Sequence, residues 1–230
     1  MHFGDPHKSK APRMSLENGG RKAQTGAEVG CPAFPRPAPS PGREKRLPSH
    51  DPQPPANVRL GQDSRISGPD AFKRYFSRRD IGLSLGERSW ADGARFAIGP
   101  DGFVTIGQDC YLNDCVLLAE QEIRIGNRVM IGLNTTLSDS DFHPLAPAER
   151  IQDAIALSPL ANGTPRPSIG RKPVIIGDDV YIGPACSILK GVTIGAGAFV
   201  EPGSVVTRDV PANAHVRGNP AAIVSTDRTA

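Results

Sequence analysis

The sequence predicts an all-β fold, a parallel β-helix wound from hexapeptide repeats, on three observations. From Ile176 onward an aliphatic residue recurs at every sixth position: Ile176, Ile182, Ile188, Ile194, Val200 and Val206. Four residues after each stands a small or apolar one: Val180, Cys186, Val192, Ala198, Ser204 and Val210. The composition agrees, because 25 Gly and 23 Pro with 5% aromatic residues favour many turns over a large helical core.

Each hexapeptide supplies a short strand and a corner, with its aliphatic residue pointing inward. Three of them close a triangular coil of about 18 residues, and a coil buries its interior only against its neighbours. An earlier block repeats the signature. Ile106, Leu112 and Leu118 are followed, after one inserted residue, by Ile125, Ile131 and Leu137. Cys110, Val116, Val129 and Thr135 hold the second inward position. With a poorer turn around Ile98 to Val104, the expectation is about five coils within residues 95–224.

Three segments fall outside the repeat. Residues 1–60 hold 11 prolines and only two aromatics, Phe3 and Phe34, and are expected to be a disordered basic tail. Residues 61–94 read as a linker with a short capping helix starting at Pro69, where Phe72, Tyr75 and Phe76 share one side. Residues 143–172 carry five prolines and interrupt the repeat with an excursion loop, containing a possible helical turn from Ile151 to Leu157. Long loops on a rigid scaffold are where function concentrates.

Charge and cysteine usage narrow the classes. Of 27 Lys and Arg and 24 Asp and Glu, ten and five lie in residues 1–60, so the repeat region is close to neutral. That argues against nucleic acid as a partner. There is no apolar run of membrane-spanning length and no apolar leader, so a cytoplasmic protein with no membrane insertion is expected. Cys31, Cys110, Cys115 and Cys186 match no zinc or redox spacing and are expected to be reduced thiols, with no metal bound.

His143 opens the excursion, in Asp141-Phe142-His143-Pro144-Leu145 with Glu149-Arg150 just after. His2, His7 and His50 lie in the tail, which leaves His143 and His215 in the repeat region. A lone histidine is more often structural than catalytic, but this one stands at the mouth of an inserted loop. Asp139 and Asp141 could orient its ring, or could serve as turn residues.

The repeat, the His143-Pro144-Leu145 motif and the ending Val206-Thr207-Arg208-Asp209-Val210-Pro211 resemble the hexapeptide acyltransferases, and within them the galactoside and maltose O-acetyltransferases. The resemblance spans roughly residues 95–224. It implies a left-handed β-helix assembled as a homotrimer, with acetyl-CoA and a saccharide or other small acceptor meeting in clefts between subunits. It implies His143 as general base and Asn113, in Tyr111-Leu112-Asn113, as a holder of the acceptor hydroxyl. It further implies Tyr181, Thr207 and Arg208 as contacts to the cofactor. Two departures stand out: Pro202 replaces a small residue whose N–H would contact the donor, and no match exists for the family's N-terminal substrate region.

The chemistry fits these residues. A thioester is already activated, so the enzyme need only remove the hydroxyl proton and stabilise an oxyanion. The expected function is O-acetyl transfer from acetyl-CoA to a sugar or glycan. N-acetylation of an amino or nucleotide sugar, or of a xenobiotic, is the enzymatic alternative. A non-catalytic trimeric scaffold is the alternative from another class. A zinc carbonic anhydrase on the same fold would need three histidines at a site.

Overall fold

The computed structural model describes residues 52–226 apart from 160 and 162. The expected disordered tail therefore falls, up to residue 51, outside the described residues. Coil 1 holds β1 (Val58–Leu60) and β2 (Arg65–Ile66), so the tail's last three residues already belong to the fold. Coil 2 holds β3 (Leu83–Leu85), β4 (Trp90–Asp92) and β5 (Arg95–Ile98). Coil 3 has β6 (Phe103–Ile106), β7 (Tyr111–Asn113) and β8 (Val116–Ala119), and coil 4 has β9 (Glu122–Ile125), β10 (Met130–Ile131) and β11 (Thr136–Ser138). An excursion with α1 (Pro147–Leu157) follows. Coil 5 resumes with β12 (Val174–Ile176), β13 (Tyr181–Ile182) and β14 (Ser187–Ile188). Coil 6 has β15 (Thr193–Ile194), β16 (Phe199–Val200) and β17 (Val205–Val206). Coil 7 ends on β18 (His215–Gly218), against which β19 (Ala221–Ser225) folds back antiparallel.

The coils stack into three parallel faces. Face A runs β1-β3-β6-β9-β12-β15, face B β2-β4-β7-β10-β13-β16-β18 with β19 at its edge, and face C β5-β8-β11-β14-β17. Stacking is in register, so equivalent residues form columns. On face B the inward column is Ile66, Ala91, Leu112, Ile131, Ile182, Val200 and Val216. All six aliphatics predicted between Ile176 and Val206 are buried. Cys110, Cys115 and Cys186 are free thiols inside the prism, and burial pushes Cys115 up to about 12. They act as small apolar fillers.

Three expectations need correction. The solenoid has seven coils rather than five, because residues 58–98 also wind. Ala91, Ala94 and Phe96 take inward positions there, and one large ring among small residues hides the aliphatic period. Pro69 to Phe76 forms turns and not a capping helix. Its backbone is committed to the next coil: Phe96 N–H donates to Ala71 O at 2.8 Å, and Phe76 N–H donates to Ile98 O at 2.8 Å. The segment is thus the third side of coil 1, with Phe72 stacked on Phe96. Finally, Leu118 and Val116 face outward. Their neighbours Cys115, Leu117 and Ala119 point inward, since β8 alternates along four residues.

The glycine that follows the last residue of β3, β6, β9, β12 and β15 on face A has a steric cause. A Cβ at Gly107 would lie 2.5 Å from Gly126 O, and one at Gly86 2.5 Å from Gly107 O. Coils stack at about 4.8 Å, and at this corner backbone meets backbone. Two residues on, Arg88, Asp109, Arg128, Asp179 and Gly197 take positive φ. Arg88 pairs with Asp109 and Arg128 with Asp179, each through Nε at 2.6 Å. These surface pairs add little stability individually.

Gly107→Ala tests the stacking argument. The methyl would press on the Gly126 backbone and on the Asn127 side-chain oxygen, each at 2.5 Å, so a loss of about 1–3 kcal/mol is expected in denaturant unfolding. Gly163→Ala, where a Cβ would touch nothing within 4 Å but φ is +80°, should cost no more than the strain of that φ, about 1 kcal/mol.

Candidate active site

The excursion leaves and rejoins the solenoid through a closed neck. Ser140 bridges Arg171 antiparallel, Asp141 N–H donates to Gly170 O at 2.9 Å, and Lys172 N–H donates to Asp139 O at 2.8 Å. Two carboxylates fix this neck to the coils on either side. Asp139, fully buried, accepts backbone N–H groups of Glu120, Gln121 and Glu122 at 2.8, 2.7 and 2.6 Å. Burial pushes its carboxyl up, against the pull of those three donors. Asp141 takes the Lys190 ammonium of coil 5 at 2.7 Å.

Neither of these carboxylates meets the His143 ring, although Asp141 O accepts the His143 backbone N–H at 2.7 Å. The carboxylate on its ring is Asp153 of α1, with Oδ2 at 2.6 Å from His143 Nδ1. Asp153 is the buried residue of α1, while Ile151, Ile155 and Leu157 are exposed. The helix therefore docks through a charge rather than an apolar stripe. Arg166, from the Pro-rich return segment, completes the arrangement. Its Nε donates to Asp153 Oδ1 at 2.6 Å and its Nη2 to Asp153 Oδ2 at 3.2 Å and to Phe142 O at 3.0 Å. Phe142, at φ 64°, turns the chain so that His143 can meet the helix.

The protonation logic follows from the partners. The Arg166 guanidinium, and after it the His143 ring, hold the Asp153 carboxyl below the usual carboxylate range despite its burial. An ionised carboxylate only accepts, so Nδ1 of the neutral ring must carry the proton and Nε2 keeps its lone pair. The His143 side chain is 57% exposed, which leaves that nitrogen open to a substrate. Asp153 escaped the sequence reading because it sits inside an apolar-looking run. The oddity of a lone acid between Ile151 and Ile155 was the available signal.

The remaining predicted residues divide between two places. Thr207 and Arg208 are exposed just after β17, on the same prism edge as the excursion and two coils further along. Asn113 ends β7 and Tyr181 begins β13, both on face B. Tyr181 stacks on Phe199 with ring centroids 4.6 Å apart, and Phe199 meets the His215 ring edge-on at 5.1 Å. One chain thus presents His143 with Thr207 and Arg208 on an edge, and Asn113 with Tyr181 on a face. Among the described residues, no group of three or more His, Cys, Asp or Glu is arranged to hold a metal. No helix among them is long and apolar enough to cross a membrane.

Residues 173–208 match the family described as bacterial transferase hexapeptide (six repeats). That segment, β12 to β17 of coils 5 and 6, carries the hexapeptide repeat. A 52-residue stretch is 56% identical to 2,3,4,5-tetrahydropyridine-2,6-dicarboxylate N-acetyltransferase of Staphylococcus aureus, covering 23% of this chain and 22% of that enzyme. The chain thus matches about a fifth of the length of such curated relatives. Among solved structures, a galactoside acetyltransferase in complex with coenzyme A is 26% identical over 64% of this chain and 66% of its own, with TM-score 0.50. The N-acyltransferase AntD from Bacillus cereus, in complex with dTDP and 3-hydroxybutyryl-CoA, has TM-score 0.52 at 20% identity. It covers 72% of this chain and 80% of its own and shows the shared solenoid fold.

The lowered Asp153 carboxyl makes the docking of α1 pH-dependent. A depressed carboxylate stabilises the folded state fully above its unfolded pKa, about 3.9, and this is lost as pH falls through the folded value. Amide protection in α1 should therefore persist at neutral pH and collapse first in acid, while amides of Ile182 and Ile188 stay protected. Arg166→Ala should move the onset to higher pH; an unchanged onset would mean that Arg166 does not set it.

Proposed function

We propose that this hexapeptide-repeat protein is an acetyl-CoA-dependent O-acetyltransferase acting on a hydroxyl of a sugar or glycan, with His143 as general base. The observation that carries the reading is the Arg166–Asp153–His143 chain, with Nδ1 at 2.6 Å from a buried carboxylate. Such a carboxylate fixes the tautomer and stabilises the imidazolium that forms. Positioned proton transfer of this kind is worth about 10²–10⁴-fold in rate.

In the proposed step His143 Nε2 takes the acceptor hydroxyl proton as its oxygen attacks the thioester carbonyl. The tetrahedral intermediate collapses, the C–S bond breaks, and the CoA sulfur leaves with the proton returned from His143. Asn113 holds the acceptor hydroxyl. Tyr181, Thr207 and Arg208 contact the donor, with Arg208 offering a cation to its phosphates. The similarity to the galactoside acetyltransferase bound to coenzyme A supports acetyl-CoA as donor.

Because one chain leaves Asn113 and Tyr181 on a different side from His143, the complete site takes a second copy, and we assign a homotrimer. The outward column of face B supports this. It runs Arg65, Trp90, Tyr111, Met130, Tyr181, Phe199 and His215, with Trp90 46% and Met130 47% exposed. An aromatic stripe of this length is what an interface covers. The stretch 56% identical to an N-acetyltransferase favours transfer to an amine as a second reading. The same base would serve it.

Free CoA released from acetyl-CoA, followed with a thiol dye across sugars, amino sugars and simple amines, separates the two readings. His143→Ala should reduce turnover at least about a hundredfold. Asp153→Asn should lower kcat by about 10²-fold and leave KM for acetyl-CoA near its original value. Undiminished turnover in His143→Ala would sink the mechanism. Met130→Glu should yield monomers in light scattering, with activity lost alongside.

A further inference from the structure

Beneath the excursion, on the same edge of the prism, lies a cleft of about 370 Å³ that the transfer step does not use. Arg79, Asp101, Phe103, Glu120, Glu122 and Arg171 line it. Its floor is rigid, since the buried Asp139 carboxylate holds the backbone of Glu120, Gln121 and Glu122 in place. Its position is informative as well. Glu120 lies 3.8 Å from Arg166, which in turn grips Asp153 and so the base. The cleft is next to the transfer centre yet separated from His143 by two intervening side chains.

Its chemistry selects among ligands. Glu122 is paired with Arg124, and Arg171 is spent on Glu120 O at 3.0 Å. That leaves the Glu120 carboxylate with only a distant cation, and burial pushes its carboxyl up, the arginines Arg166 and Arg171 opposing this. It has lone pairs to offer to hydroxyl donors. Arg79 lies over the Phe103 ring at 4.5 Å, a stacked guanidinium on an aromatic face at the rim. The two together form a wall against which the C–H side of a pyranose can pack. Three carboxylates oppose a phosphate or nucleotide, and the arginines oppose a divalent cation. The charged lining also excludes an apolar chain.

We propose that this cleft is a subsite for a further sugar unit of the acceptor, so that the protein prefers an oligosaccharide to the corresponding free monosaccharide. The inference rests on the sugar O-acetyltransferase reading, and its test separates the two. Binding to the full chain is measured by saturation-transfer NMR and calorimetry for galactose, glucose, a β-1,4-galactotetraose and maltotetraose. Release of CoA with the same sugars is followed in parallel.

At least one tetraose should bind about tenfold tighter than its monomer. Phe103→Ala and Glu120→Gln should each erase that gain; KM for acetyl-CoA and the thermal midpoint stay as in the parent in both, and monosaccharide turnover stays so in Phe103→Ala. A gain that both variants retain, or no gain for either tetraose, would overturn the subsite. Oligosaccharide binding that both variants lose, with no CoA released by the parent, would keep the subsite and reject the transfer reading. Turnover of monosaccharides without a tetraose gain would do the reverse.

Discussion

Everything in this fold depends on stacking coils one strand spacing apart with their backbones in register. The constraint is met by hydrogen bonds that run from each coil to the next, as when Met130 N–H donates to Val180 O at 3.0 Å and Gly107 N–H to Ile125 O at 2.9 Å. Register makes columns, and columns force like residues to stack on like. The inside becomes a stack of Ile, Leu and Val layers, and one corner must be stripped of side chains. Glycine at that corner answers to the proximity of the coil above, and the residue two positions later absorbs the left-handed backbone turn instead. The hydrophobic term in such a prism is spread evenly over its length, so no single layer dominates its stability.

Much of the solenoid could be read from residues 125–137 and 176–210, where every inward position is a small or aliphatic residue and the spacing never slips. It could not be read from residues 58–98. There Ala91, Ala94 and Phe96 stand at inward positions beside Leu83, Leu85 and Ile98, so residue size varies too much for the aliphatic period to show. A periodic search sees residue type, whereas the prism conserves layer volume. The misplacement of Leu118 has a similar origin. Two adjacent leucines satisfy the pattern equally well, and only the strand alternation from Val116 to Ala119 decides which one turns inward.

The candidate site divides along a related line. His143 could be singled out because it stands where the period stops, and its motif has a recognisable neighbourhood. Its partner could not, since Asp153 is ten residues away on a helix whose apolar residues point to solvent. Asp139 and Asp141 were nearer in sequence, and proximity in sequence proved a poor guide. Each of them is occupied by the solenoid: one ties down the corner of coil 4, the other reaches Lys190 of coil 5. Their work is mechanical. They hold the two ends of the excursion so that the helix can return a carboxylate to the ring.

The closed neck between residues 139–141 and 170–172 has a consequence for how such a protein diversifies. Because the loop's two ends are pinned to each other and to the coils above and below, its interior can change in length and composition without disturbing a single layer of the prism. For the transferase proposed above, acceptor choice can then be rewritten in one continuous segment of gene. The edge carrying Thr207 and Arg208 and the packing of the coils are inherited unchanged.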